Sequence, residues 1–298
     1  MLRAAMRTFV FTTACGAACS SPVTKGIFPD AGDAEVAFPS GLDGAAPDGG
    51  RYDRDGGDAA GMVDASSDAN VIGDSQTDSL KPSGYSSSLI GYWPFDDSGS
   101  DLSGNARPLT LVGPPGFVAG RFGNAISLNG TGTQYAVRSA SDSVFDFGPA
   151  DFTVSIWVRF NSVAPEQSLV EKFDGQVGPG WAFAKLATGE AHFWGRPSAI
   201  LLSNSLVFQA IVWHHFLARR SGASFAIFVD GSSVATGTNS VAIPATSMPL
   251  LVGRRNANDG RVSGVDGALD DLAIWARALT DAEVAGLWLG GTGRAVLP

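Results

Sequence analysis

The sequence predicts an all-β sandwich closed by a short C-terminal helix. Three observations carry this. From residue 89 onward, short apolar stretches recur at near-regular spacing, separated by Gly, Asn, Asp and Pro. Several alternate with period 2: Phe152, Val154, Ile156 and Val158 share one face, with Thr153, Ser155, Trp157 and Arg159 on the other. A capped helix start occurs near the end, at Thr280. Roughly a dozen strands in about 210 residues exceeds an immunoglobulin-like unit and suits one larger sandwich.

The strands are expected, in order, at 89–95, 109–112, 125–128, 135–138, 152–160, 168–172, 181–185, 191–194, 211–218, 224–229 and 250–252. Asp230-Gly231, after an apolar run from Phe225 to Val229, has a tight hairpin signature. Asn129-Gly130-Thr131-Gly132 precedes a strand and not a helix, so it reads as a hairpin turn and not a phosphate cradle. The most informative stretch runs from Gly264 to Thr280: a Gly-rich turn, a strand and a helix cap. Unbroken alternation there sets Asp270 beside Leu272 and Ile274 on the core face, and Asp271 with Ala273 and Trp275 opposite. An inward carboxylate is costly unless it is hydrogen-bonded or holds a metal. Thr280 with Glu283 three residues on forms a capping box.

Charge is spread unevenly over the 298 residues, whose formal net charge is -9. Residues 20–88 hold eleven Asp and one Glu against Lys25, Arg51, Arg54 and Lys81. Residues 89–298 hold 14 basic and 17 acidic side chains, with no basic stripe, so nucleic acid is not an expected partner. All seven Trp fall in this latter part, where the core must lie.

Residues 1–19 have the form of an export signal. Arg3 and Arg7 precede an apolar run that ends in Gly16-Ala17-Ala18-Cys19, too short for a stable membrane span. Gly-Ala-Ala-Cys followed by two serines resembles a bacterial lipobox, which implies lipidation of Cys19 and membrane contact through that anchor only. Gly16 stands where the family usually has Leu; the alternative is a conventional signal cleaved after a small residue. Both cysteines, Cys15 and Cys19, lie in this segment, so the mature chain has no disulfide framework.

Residues 20–88 are rich in Asp, Ala, Gly, Ser and Pro and cannot bury enough apolar surface to offset ordering entropy; a disordered, self-repelling spacer is expected. The acidic stretch 52–58 lacks the terminal Glu and flanking helices of a calcium loop.

The order of segments in 89–289 is similar to that of the LamG-like jelly-roll family. It runs through Leu89-Ile90-Gly91-Tyr92-Trp93-Pro94-Phe95-Asp96, Asp101-Leu102-Ser103-Gly104-Asn105 and Gly120-Arg121-Phe122-Gly123-Asn124-Ala125. It continues with Phe152 to Val158, Trp213-His214-His215-Phe216, Phe228-Val229-Asp230-Gly231, Leu251-Val252-Gly253 and the closing strand and helix. This resemblance implies a concanavalin A-like lectin/glucanase sandwich of two antiparallel sheets over 89–298. It also implies calcium at the sheet rim, with Asp96, Asp101 and Asp270 as ligands, since first and last strands tend to pair in such sandwiches. The alternative is an Asp270 that accepts backbone N–H groups with no ion.

Catalysis is not expected. A glycosidase needs two carboxylates flanking one bond; Glu166, Glu171, Glu190 and Glu283 have no such spacing, and alternation aims Asp270 and Asp271 apart. His192, His214 and His215 lack the partners a zinc or nucleophile site needs. For carbohydrate, Trp181, Trp194 and Arg196 fall in segments that can line an exposed face, although each Trp taken alone suits the core better. The sequence therefore reads as a non-catalytic, surface-tethered recognition module for glycan or extracellular protein at the cell envelope. A glycoside hydrolase-like enzyme on the same fold and a purely structural envelope module are the alternatives.

Overall fold

The computed structural model describes residues 84–138, 142–175, 178–195, 199–256, 260–261 and 263–297. Cys19, the expected leader, the spacer up to residue 83 and Arg196 lie outside the described residues. The strands are β1 (Leu89–Trp93), β2 (Thr110–Val112), β3 (Gly116–Ala119), β4 (Asn124–Asn129), β5 (Tyr135–Arg138), β6 (Phe152–Phe160), β7 (Gln167–Phe173) and β8 (Gly180–Lys185). They continue as β9 (Ala191–Gly195), β10 (Ala199–Leu202), β11 (Trp213–Ser221), β12 (Ser224–Val229), β13 (Ser232–Thr238), β14 (Leu250–Val252) and β15 (Asp266–Trp275), before helix α1 (Asp281–Trp288).

They form two antiparallel sheets. One has eight strands in the order β13-β12-β11-β6-β15-β4-β3, with β1 also paired to β15. The other has seven, in the order β10-β9-β8-β7-β14-β5-β2. The first and last strands pair as expected, Tyr92 opposite Ala273. The inward face of β6 (Phe152, Val154, Ile156, Val158, Phe160) meets Leu169, Trp181, Phe183 and Phe193 of the other sheet. Aromatic stacking ties the two layers together: Phe147 lies 4.9 Å from Trp181, and Phe152 5.4 Å from Phe193. Each large side chain buried there contributes about 1.5–3 kcal/mol.

Three sequence expectations are corrected. Strands β3, β10 and β13 are additional; they are short or built from small polar residues, so they carry little apolar alternation. The turn at 130–134 is not a hairpin, because β4 and β5 belong to different sheets; it is a corner. Asp230-Gly231, by contrast, closes the β12–β13 hairpin with φ of 51° and 73°, the double left-handed turn a tight hairpin requires.

The third correction concerns Asp270 and Asp271. The β15–β6 register shifts between Asp270, opposite Trp157, and Ala273, opposite Ser155. Asp271 has φ of 51°, so the extra residue is a β-bulge. Leu269, Leu272 and Ile274 all reach the inter-sheet core, whereas Ala273 and Trp275 lie in the outer cluster. Asp270 faces outward with Trp157, and the parity that sets it beside Leu272 is broken.

The outer face of the eight-stranded sheet is covered. Val284 and Leu287 of α1 pack with Tyr85, Tyr92, Leu217, Phe228, Trp275 and Val296. Thr280 and Glu283 make the expected capping box, and Arg277 holds the Glu283 carboxylate at 2.7 and 2.9 Å. Trp288 stacks on Trp157 with ring centroids 5.5 Å apart.

Candidate functional site

With one outer face covered, a cleft opens on the outer face of the other sheet. Alternation builds it. On β9, Ala191, Phe193 and Gly195 turn inward, which leaves His192 and Trp194 half-buried on the outside. Directly across on β8, Ala184 faces His192 and Ala182 faces Trp194. Two methyl groups opposite two large rings give a sunken floor. Phe173 of β7 meets Trp194 edge-on at 6.2 Å, and His192 meets it at 5.3 Å and 90°. The cleft has a volume of about 300 Å³, and Glu166, Arg255 and Arg261 stand at its rim.

Buried polar contacts fix that rim. Lys185 Nζ donates to the Val163 carbonyl and, at 3.0 Å, to that of Pro165, pinning the loop that carries Glu166. Burial holds the Lys185 ammonium below its ordinary pKa. Ser263 Oγ donates to Glu166 Oε1 at 3.2 Å, and Arg255 reaches the same oxygen at 3.6 Å. Glu171 is fully buried and accepts from Ser168 Oγ and the Asn256 backbone N–H. Asn256 Nδ2 donates to the Phe173 carbonyl at 2.9 Å, so residues 254–256 are strapped across β7 and Arg255 is delivered to the cleft. The His192 pKa is lowered by burial, against the pull of Glu166; the ring is neutral at neutral pH.

The residues singled out from the sequence meet different fates. Trp194 lines the cleft. Trp181 does not: its side chain is 0% exposed, stacks on Phe147 and Phe193, and donates from Nε1 to the Phe145 carbonyl at 2.8 Å. It is a core residue and out of a ligand's reach. Glu166, Phe173, His192, Arg255 and Arg261 join Trp194 in the lining without a sequence signal that marks them as binding residues. His192 does share the outward parity of Trp194; Arg255 depends on a strap between distant segments that no local pattern reveals.

The carboxylates at the sheet rim have backbone partners. Asp101 accepts from Tyr92 N and Ser103 N on Oδ1 and from Arg107 N on Oδ2, at 2.9–3.0 Å. Burial raises its pKa, but these bonds more than offset that and leave it lowered. Asp270 Oδ2 accepts from Arg121 N at 2.6 Å and Phe122 N at 3.0 Å, and Asp96 Oδ1 from Asn124 N at 2.7 Å. Gly120 and Gly123 admit this approach: a Cβ on Gly123 would sit 2.1 Å from Asp96 Oδ1. Among the described residues no three or more His, Cys, Asp or Glu side chains form a metal-holding group. A carboxylate ringed by N–H dipoles, as Asp101 is, suits a cation poorly. Asp270 Oδ1, by contrast, is buried without a hydrogen-bond partner.

Ser155 Oγ lies 2.8 Å from His215 Nε2, the separation of a nucleophile and its base. Both are sealed under the outer cluster, at 2% and 1% exposure, and burial drops the His215 pKa to about 4. The neighbouring carboxylate, Asp230, binds His214 Nδ1 at 2.8 Å instead. The pair is structural.

The model of the concanavalin A-like lectin/glucanases superfamily matches residues 129–285. No curated protein matches the chain. Among solved structures, the binding domain of Paraclostridial Mosquitocidal Protein 1 is similar at 22% identity and a TM-score of 0.55, over 68% of this chain and 52% of that one. Domain 4 of AbnA, a GH43 extracellular arabinanase from Geobacillus stearothermophilus solved with arabinotriose, is similar at 18% identity and a TM-score of 0.53, over 69% of this chain and 98% of the domain. A Trypanosoma rangeli sialidase follows at 18% identity and 0.54, over 69% of this chain and 34% of the enzyme. The chain thus spans about half of the toxin binding domain, nearly all of the arabinanase domain and a third of the sialidase; binding domains and an enzyme share its fold. By its two antiparallel sheets, its terminal helix and the match over more than half its length, the chain belongs to the concanavalin A-like lectin/glucanase superfamily.

Proposed function

We propose that this chain is a non-catalytic recognition module that binds glycan in the cleft of the seven-stranded sheet, with Trp194 as the platform for a sugar ring. One observation carries the reading: Trp194 lies half-buried in the cleft beside Ala182 and Ala184, in a lining shared with Glu166, His192, Arg255 and Arg261. An apolar ring face surrounded by fixed donors and acceptors matches a sugar, which has C–H faces and hydroxyl edges. Binding-domain neighbours of the same fold, among them one solved with arabinotriose, support the reading at the level of architecture. Against hydrolysis stands the lining itself: among the described residues Glu166 is its one carboxylate, whereas glycoside cleavage takes two.

We further propose that the module is exported and held at the cell envelope by lipid on Cys19, with 20–88 as its spacer; the lipobox-like sequence supports this. Among the described residues no helix is long and apolar enough to cross a membrane. Cys19→Ala should release the protein from the membrane fraction or stall its processing. Wild-type protein recovered wholly in soluble form contradicts the anchor.

A glycan array probed with the full chain tests the binding reading. Selective signals that are lost in Arg255→Ala support it, and a blank array together with a blank protein pull-down favours the structural-module alternative.

A further inference from the structure

We propose that residues 202–213, which run from the last residue of β10 to the first of β11, form a segment that inserts shallowly into a lipid surface. Four of the seven large apolar side chains exposed among the described residues fall in this stretch: Leu202 at 53%, Val207 at 94%, Ile211 at 62% and Val212 at 41%. No charged residue occurs anywhere in 199–213. Scattered exposed aliphatics are ordinary; a concentration of them in one uncharged loop marks an interaction site.

The loop is held in shape. Phe208 anchors it, 8% exposed and stacked on Phe216 at 5.3 Å. Ile211 has φ of 64°, a conformation costly for a β-branched side chain, and its exposed side chain gains no burial in return. The backbone therefore presents Ile211 to the outside at a cost, as interaction sites do. Several loop N–H groups are satisfied within the protein: Ser203 N by Ala191 O at 3.0 Å, Leu206 N by Gly189 O at 3.0 Å, and Ile211 N by Phe160 O at 2.7 Å. A segment entering a medium poor in water needs that.

The chemistry selects lipid over protein. Protein interfaces concentrate aromatic and Arg anchors at their centre. Here the centre is aliphatic and uncharged, while the amphipathic pair sits at its base, Arg159 over the Trp213 ring at 5.3 Å. Exposed aliphatics beside a Trp and an Arg are the mixture found at a bilayer interface. The loop also begins at the cleft: Leu202 is the cross-strand partner of His192. Because the loop is uncharged and the chain carries -9, attraction to anionic headgroups is not the driving force.

The test is sedimentation of the full chain carrying Cys19→Ala, which removes the anchor, with phosphatidylcholine vesicles at low and high salt. The chain should bind at both. Val207→Asp and Ile211→Asp should each lower the bound fraction about tenfold, the partition worth of one buried aliphatic side chain, while Val207→Leu retains it. Val207 is almost wholly exposed, so Val207→Asp should keep the wild-type melting temperature and separate lost binding from lost fold. Trp194→Ala should bind vesicles normally, so failure of the glycan reading leaves this one standing. No vesicle binding, binding unchanged in both Asp variants, or a dimer that Val207→Asp disperses without vesicle binding would each overturn the proposal.

Discussion

Tyr92 Oη donates a 2.5 Å hydrogen bond to Asp271 Oδ1, which joins the first strand to the bulge of the last beneath the C-terminal segment. Burial, then the Asp271 charge, raises the tyrosine pKa, so Tyr92 remains the donor. Burial likewise pushes Asp271 up to about 7 and Asp270 up to about 8. Two adjacent buried carboxyls therefore keep protons that an unfolded chain has already lost.

The sign of the resulting pH dependence follows. Folded-state pKa values above the unfolded 3.8 give stability that is full below the unfolded value and lost as pH rises through 7 and 8. Between pH 6.5 and 9 the loss should be roughly 3 kcal/mol, about 6–12 °C in Tm. Thermal melts across that range check this. Asp270→Asn, which keeps an acceptor for Arg121 N and Phe122 N, should flatten the curve; a wild-type Tm that is level from pH 6.5 to 9 contradicts it.

Chelation should do little. Because Asp101, Asp96 and Asp270 already receive backbone N–H groups, melts with calcium and with chelator should coincide. Asp101→Ala should nevertheless lower stability by about 2–4 kcal/mol, since three N–H donors lose their acceptor. A calcium-dependent rise in Tm that vanishes in Asp270→Ala would instead restore the metal reading.

The fold was far more legible than the site. The boundaries of β5, β6, β12 and β14 follow directly from apolar alternation, and the α1 start from Thr280 and Glu283. Alternation fails where it is interrupted, at Asp271, because a bulge adds one residue that no composition rule announces in an Asp-Asp pair. It also separates the two tryptophans more sharply than composition does. Trp181 shares its parity with Phe183, whereas Trp194 sits beside inward Phe193, so only the second emerges. Glu171, Lys185 and Asn256 shape the rim through contacts distant in sequence, and such contacts exist only once the sheet has formed.

Helix α1 covers the outer face of the eight-stranded sheet, and its cap is a local device with a measurable worth. Thr280→Ala removes the acceptor for Glu283 N and should cost about 1 kcal/mol, or roughly 2–4 °C in Tm. Glycan binding, on the opposite sheet, should be unchanged. Equal loss of binding and stability in this variant would tie the cleft to the helix, against the separation of the two faces.

The most direct test of the central claim is calorimetric titration of an oligosaccharide selected on the array into wild-type chain, Trp194→Ala and Trp181→Phe. Trp194→Ala should lose at least about 2 kcal/mol of binding, some thirtyfold or more in Kd, with the chain still folded at the titration temperature. Trp181→Phe should do the reverse, with a lower Tm from the lost bond to Phe145 and a packing defect, and Kd within about threefold of wild type. Wild-type affinity in Trp194→Ala would contradict the claim that this cleft is the binding site.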